Sequence, residues 1–258
     1  MATTQSSATN TLQVAVTLKD VSLRYQGAQS ATFSNLDLTL APGQWTCLVG
    51  PSGCGKTSLL RLIAGLIDKQ HQVTGQIQCS DGHCLQNRIA YMAQQDLLLP
   101  WLSVIDNVCL KNRLQDGKVS AQTLAKASAL LEQLNLSNID QQLPDQLSGG
   151  MRQRVALART LMQDTPIVLM DEPFSALDAV NRYKLQNLAV DVLKDRTVLL
   201  ITHDPQEALR LSDQLYLFSS DHKLLDMDKP NSVIPREINA QLGEYQHTLL
   251  SRMQGQHG

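Results

Sequence analysis

The segment GPSGCGKT, Gly50 to Thr57, sets small residues and one lysine at the spacing of a phosphate-binding loop. Glycine lets successive backbone N–H groups turn inward, and a helix starting behind them adds its positive end. Lys56 then reaches the β- and γ-phosphates of a nucleotide, and the Thr57 hydroxyl can ligate Mg²⁺. The candidate nucleotide-binding set is Gly50, Pro51, Ser52, Gly53, Cys54, Gly55, Lys56, Thr57 and Ser58. Further along, IVLMDEP (Ile167 to Pro173) ends an apolar run in two carboxylates. A strand of this kind delivers charge to the carboxyl edge of a sheet, where α/β proteins bind ligands. Asp171 is the candidate Mg²⁺ ligand, and Glu172 the group to polarise a water for attack on the γ-phosphate.

A second anion cradle is written in LSGGMRQRVALA, Leu147 to Ala158. Serine and two glycines open a helix there, with Arg152, Arg154 and Arg159 along it. His203 follows RTVLLIT. A histidine at a strand end is usually a surface or capping residue, yet in a triphosphate site a neutral imidazole can bond the γ-phosphate and orient water. Cys79, His83 and Cys84 have neither zinc-knuckle spacing nor a second Cys/His pair, so SDG there reads as a turn between two strands.

The elements that must position these groups are legible in outline. VAVTLKDVSLRY alternates as a strand, TFSNLDLTLAPGQWTCLVG reads as strand, turn and strand ending at Gly50, and SLLRLIAGLI has helical spacing. From about Ser103 to Met162 the pattern is mostly helical, with Ser120 an expected N-cap. PIVLMDEP and RTVLLITHD, with a helical stretch between, predict buried parallel strands in an α/β core. Asp204, Pro205 and Glu207 supply an N-cap, a proline at N1 and an acid at N3 for the next helix. A strand and an amphipathic helix close the chain.

At 258 residues, 43% hydrophobic and 18% charged, the composition is that of an ordinary globular protein. A formal charge of −2 gives no pull toward nucleic acid, and no such partner is expected. No apolar run reaches the roughly 18–20 residues that cross a bilayer. MATTQSSATNT lacks the pattern of a secretory signal, and five cysteines without one suggest free thiols in a reducing compartment.

Assembled, these motifs resemble the ATP-binding subunit of an ATP-binding cassette (ABC) transporter, from about Val14 to Phe218. LSGGMRQ is the most specific of them, joined by Gln94 in MAQQD, SALD ending at Asp178, and His203 in ITHD. The resemblance implies an α/β fold: a RecA-like P-loop ATPase core with an N-terminal antiparallel β subdomain and an α-helical subdomain. It implies one ABC ATPase domain over 13–222, helical over about 100–162, after a disordered lead at 1–12 and before a strand–helix extension at 223–258. ATP and Mg²⁺ are the implied ligands. Two copies would pack head to tail, with Ser148, Gly149, Gly150 and Gln153 of each acting on the nucleotide held by the other. Tyr25 matches the aromatic that stacks on adenine, although a single tyrosine in a strand equally suits a core. Gln94 matches a glutamine that touches Mg²⁺ and the lytic water, and Asp178 an aspartate that crosses the dimer contact. Ala93 stands where the family often has Phe. Cys54 lies inside the loop, so its alkylation is expected to weaken ATP binding.

Separate permease subunits are the implied partners, and through them a substrate-binding protein, at the cytoplasmic face of the inner membrane. LLLPWLSVIDNV, Leu97 to Val108, falls where this family docks a permease helix, and its wording resembles importers of nitrate, sulfonates, taurine and the pyrimidine precursor of thiamine. An efflux ATPase and a soluble ATP-gated clamp share the same motifs. Cargo never touches this subunit, so its identity is not written here.

Overall fold

A computed structural model describes residues 13–255; the expected lead over 1–12 lies outside the described residues. In chain order the strands are β1 (Val16–Arg24), β2 (Phe33–Leu40), β3 (Trp45–Val49), β4 (Gln72–Cys79), β5 (Ile89–Met92), β6 (Ile167–Asp171), β7 (Thr197–Ile201), β8 (Gln214–Phe218) and β9 (Leu224–Asp226). The α-helices are α1 (Lys56–Ile63), α2 (Val104–Val108), α3 (Leu110–Asp116), α4 (Ala121–Gln133), α5 (Gly149–Leu161), α6 (Ala179–Val192), α7 (Pro205–Leu211) and α8 (Ala240–Gln254).

Two sheets form, one of order β2-β1-β4 and one of order β5-β6-β7-β3-β8-β9. The first is antiparallel; the second is parallel except for β9, which runs antiparallel to β8. Every residue of β3, β6 and β7 is buried, which is why these strands read as unbroken apolar runs. Alternate residues feed opposite faces. Cys47, Val168 and Val198 join the core packed under α2, α4, α5 and α6, whereas Leu48, Leu169 and Leu199 join the one under α1 and the antiparallel sheet. Leu242 and Leu249 of α8 enter the first of these cores, so the chain's final elements belong to the same body.

One expectation is corrected here. The helix after the glycine loop stops at Ile63, because Gly65 takes a left-handed φ of 71° and Leu66 is turned out to solvent. The turn at Ser80–Gly82 lies between two strands as expected, but those strands belong to different sheets: β4 pairs with β1 and β5 with β6, so the chain crosses there from one sheet to the other. Among the described residues no His, Cys, Asp or Glu group fit for a metal includes Cys79, His83 or Cys84.

Helix α7 begins as expected, with Asp204 accepting from the Gln206 and Glu207 amides. Glu207, however, is buried rather than dispersed at a helix surface. Its Oε2 accepts from Gln186 Nε2 of α6 at 3.0 Å, and Gln186 Oε1 in turn accepts from Arg210 Nη1 at 2.7 Å. Arg210 also bonds Asn187 and lies 3.9 Å over the Tyr183 ring, completing a polar seam between α6 and α7. Burial raises the Glu207 carboxyl to about 7. Unfolded, it titrates near about 4.3. Between those values the fold binds the extra proton, so stability is greatest below the unfolded value and declines as pH rises through the folded one, by on the order of 3 kcal/mol. Glu207→Gln is expected to flatten that decline, and unfolding midpoints measured from about pH 5 to about pH 8 check it.

Candidate functional site

The sheet order explains why distant motifs meet. Strands β5, β6, β7 and β3 lie side by side and in the same direction, so whatever follows each of them emerges at one edge. The glycine loop follows β3, Asp171 and Glu172 end β6, His203 lies just past β7, and Gln94 just past β5.

Backbone geometry makes the loop. A Cβ on Gly50 would lie 2.3 Å from the Phe218 carbonyl oxygen at the end of β8, and Gly55 caps α1 with a left-handed φ of 109°. Inside the loop, Lys56 Nζ donates to the carbonyls of Gly50 at 2.8 Å and Pro51 at 2.7 Å. Ser52 and Gly53 face solvent, while Cys54 is only 5% exposed, with its sulfur 3.7 Å from Lys56 Nζ. Cys54 is therefore in the loop as expected but shielded, in contrast to exposed Cys84.

Thr57 Oγ1 donates to Asp171 Oδ2 at 2.8 Å. Burial raises the Asp171 carboxyl, and the Thr57 hydrogen bond opposes that rise. One carboxylate and one hydroxyl, both hard oxygen donors at the mouth of a phosphate loop, fit Mg²⁺, which keeps most of its shell for water and phosphate oxygens.

Glu172 holds a left-handed φ of 50°, an uncommon conformation for a side chain this size and one that concentrates at functional sites. Its amide is tied to the Ile201 carbonyl at 2.9 Å, and each carboxylate oxygen has one partner. His203 Nδ1 is 3.1 Å from Oε1, and Gln94 Nε2 donates to Oε2 at 3.1 Å. Because a carboxylate only accepts, this contact assigns the neutral imidazole its proton on Nδ1 and leaves Nε2 as acceptor. Tyr25 sits just past β1, its hydroxyl bonded to Ser58 Oγ at 3.0 Å and its ring edge-on to His71 with centroids 4.9 Å apart.

The LSGG residues stand elsewhere. Ser148 caps α5 by accepting from the Met151 amide, and Ser148 and Gly149 are exposed. Among the described residues no hydrogen bond joins Ser148, Gly149 or Gly150 to the loop of the same chain. Gln153, expected to act toward a second copy, is held within its own chain in this structure. It is 6% exposed, and its Nε2 donates to the Glu172 and Pro173 carbonyls of its own chain at 3.3 and 3.2 Å. The arginines are also struts rather than cradle. Arg152 pairs with Asp96, Arg159 reaches the carbonyls of Asp96 and Leu97, and Arg154 those of Leu134, Asn135 and Gly150. Asp178 is exposed and caps α6 through the Asn181 amide; that bond and the one from the Asn181 side chain hold its carboxyl below the usual range.

The segment Leu97 to Val108 divides. Leu98, Val104, Ile105 and Val108 are core, while Leu97 and Trp101 point outward, Trp101 at 70% exposure. Sequence reading missed Asn107, which is fully buried and ties the carbonyls of Leu99, Leu102 and Ser103 together. Its burial had a faint signal, a polar residue among apolar ones at helical spacing.

A parallel sheet with a glycine loop after one strand and an acidic strand end beside it defines a nucleotide hydrolase of the P-loop class, and the exposed LSGG helix start narrows it to an ATP-binding cassette. The profile of the family described as "ABC transporter" matches residues 33–175, and the chain belongs to that family. It is 45% identical to an uncharacterized ABC transporter ATP-binding protein of Haemophilus influenzae, over 93% of this chain and 99% of that one. With the aliphatic sulfonates import ATP-binding protein SsuB 1 of Rhodococcus jostii it shares 39% identity over 92% of each chain. Among solved structures it is similar to the ATP-binding cassette MJ0796 as a post-hydrolysis dimer bound to ADP and Pi, at a TM-score of 0.72 and 26% identity over 86% of this chain and 100% of that one. The chain is an ATP-hydrolysing, ATP-binding subunit of the ABC transporter family.

Two outcomes follow from the loop. Gly50→Ala should weaken nucleotide binding at least roughly tenfold, since backbone must move to admit the methyl; titration with a fluorescent ATP analogue checks it. Maleimide should label Cys84 well before Cys54, with ATP affinity falling only as Cys54 reacts, as peptide mass mapping against binding would reveal.

Proposed function

We propose that this ATPase dimerises head to tail on ATP and powers a membrane permease that imports a small molecule. The cargo is sulfonate-, nitrate- or taurine-like, or the pyrimidine precursor of thiamine. One observation carries the dimer: Ser148, Gly149 and Gly150 form a helix start, exposed at Ser148 and Gly149 and partly buried at Gly150, that among the described residues makes no hydrogen bond to its own chain's loop. A helix N-terminus of this composition suits an anion, and the nucleotide of a second copy supplies one. The relatives named for aliphatic sulfonates import support the cargo class.

In this reading Lys56 and the loop amides hold the phosphates, and Tyr25 stacks on adenine. Thr57, Asp171 and Gln94 would hold Mg²⁺, which supplies charge neutralisation to the β- and γ-phosphates. Glu172 takes the proton from the attacking water, its two oxygens fixed by His203 and Gln94 so that the lone pair is aimed before the water arrives. His203 Nε2 is then free to orient that water against the γ-phosphate. Ser148 of the second copy donates to the γ-phosphate, and Asp178 crosses the contact beside it.

The permease would dock near Gln94. Trp101 and Leu97 are exposed there. A groove of about 370 Å³ lined by Tyr91, Leu110, Lys111, Leu114 and Arg159 opens beside the start of α3. An apolar floor with a basic rim suits an amphipathic helix. Among the described residues no helix is long and apolar enough to cross a membrane, so attachment would be peripheral, at the cytoplasmic face. A substrate-binding protein would act on the permease from the other side.

Glu172→Gln tests the chemistry. ATP affinity should persist, turnover should fall by roughly 10²- to 10⁴-fold, and the variant should run as a dimer in ATP. Turnover at the parent rate removes Glu172 as base. Affinity purification of the tagged protein from gently solubilised membranes tests the coupling. A stoichiometric multi-spanning permease is expected, and recovery of soluble partners alone overturns it.

A further inference from the structure

Asp178 and His203 serve different parts of the proposed reaction, one at the contact with the second copy and one at the attacking water. A single side chain joins their loops. Arg182, in the first turn of α6, donates from Nη2 to the Leu177 carbonyl at 3.0 Å and from Nη1 to Asp204 Oδ2 at 3.0 Å. Leu177 immediately precedes Asp178, and Asp204 immediately follows His203.

Every other bond around Asp204 fixes the same loop. Its Oδ1 accepts from the Gln206 amide at 2.9 Å and the Glu207 amide at 3.3 Å, while its own amide donates to Thr202 Oγ1 at 3.0 Å. The backbone of His203 is thus held on both sides, by Thr202 and by Asp204. Among the described residues, the Arg182 bond is the one to Asp204 that comes from outside the loop and helix α7; on the other side of His203 the Thr202 amide is anchored to the Leu48 carbonyl of β3 at 3.2 Å. Behind it, the Gln186–Glu207 and Arg210–Gln186 bonds fasten α6 to α7 along their length, so the two helices shift together or not at all. The Arg182 guanidinium is the end of that seam nearest the chemistry. A planar fork reaching two acceptors in separate loops sets their spacing as well as their attraction, which a flexible ammonium does not.

We propose that Arg182 is a positioning residue that locks the His203 loop to the Asp178 loop, so that contact of Asp178 with a second copy sets the place of His203 beside Glu172. This rests on the roles given above to His203 and Asp178. His203 is otherwise weakly held, since its ring is largely exposed and, among the described residues, its one polar partner is Glu172. Releasing Asp204 would let the imidazole drift by a fraction of an ångström to an ångström, and displacements of about 1 Å can cost up to about 100-fold in rate.

Steady-state kinetics of Arg182→Ala, His203→Ala and the double variant test the idea. Arg182→Ala should lower kcat by roughly 10- to 100-fold while KM for ATP changes less than about twofold. In the His203→Ala background the same substitution should have almost no further effect, because it acts through the residue already removed. Arg182→Lys, which cannot span both acceptors, should fall between parent and Arg182→Ala. Full, multiplicative loss in the double variant, or a parent-like kcat for Arg182→Ala beside a collapsed His203→Ala, overturns the positioning role alone. A parent-like His203→Ala instead overturns the underlying reading of His203. Should Arg182→Ala fail to fold, Asp204→Asn, which keeps an oxygen to cap α7 but loses the charged partner, carries the same comparison.

Discussion

The level ends of four parallel strands are the constraint on which the site depends. Met92 pairs with Met170, Asp171 with Ile201, and Ile201 with Leu48, so β5, β6, β7 and β3 terminate together. Gln94, Glu172 and His203 lie within two residues of that line, and the glycine loop starts from it at Gly50. A slip of one residue in β6 would turn Asp171 and Glu172 to the wrong faces at once. It would also drive Val168 and Met170 out of one core and Ile167 and Leu169 out of the other. Burial of both faces of β6 therefore holds the catalytic register, and the register lets an acid with a strained backbone be met by an imidazole and an amide.

The same geometry explains why the chain carries two anion cradles. The loop after β3 is complete in itself, with Lys56, Thr57 and Asp171 converging on it. The α5 start is kept away from it by the arginine struts and by Gln153, whose amide anchors α5 to the Glu172–Pro173 backbone. A movement of α5 is thereby felt at Glu172, through carbonyls rather than through the reacting carboxylate. In the proposed reading, a donor set with no bond to its own chain's loop, but linked through Gln153 to the backbone of Glu172, is suited to report the arrival of a second copy.

Groups whose chemistry is local were legible in the sequence. The glycine loop, the acidic strand end, the helix start at LSGG and the Ser120 and Asp204 caps need only their near neighbours to be recognised. Polar residues whose partners are far along the chain were not. Arg159 looks like a cradle residue until the fold brings Asp96 and Leu97 beneath it, and Gln153 looks like a surface amide until α5 packs against β6. Glu207 satisfies the rule for an acid in a first helical turn, yet the packing of α6 over α7 buries it. Register between sheets was equally hidden, because the SDG turn has the composition of a hairpin and only the pairing partners of β4 and β5 distinguish it from a crossover. In Leu97 to Val108 apolar spacing could not say which side faced the core, and Asn107 decides it by binding three carbonyls of its own loop.

The central claim is that each ATP is hydrolysed by residues of two copies. Mixing two inactive variants tests it most directly: Lys56→Ala, which damages the loop, and Ser148→Ala, which damages the helix start. Either alone should be nearly inactive. In a mixed dimer, the intact loop of the Ser148→Ala chain faces the intact Ser148 of the Lys56→Ala chain, so the mixture should recover ATP turnover well above either variant. Turnover no greater than the average of the two would contradict the claim and confine hydrolysis to single chains.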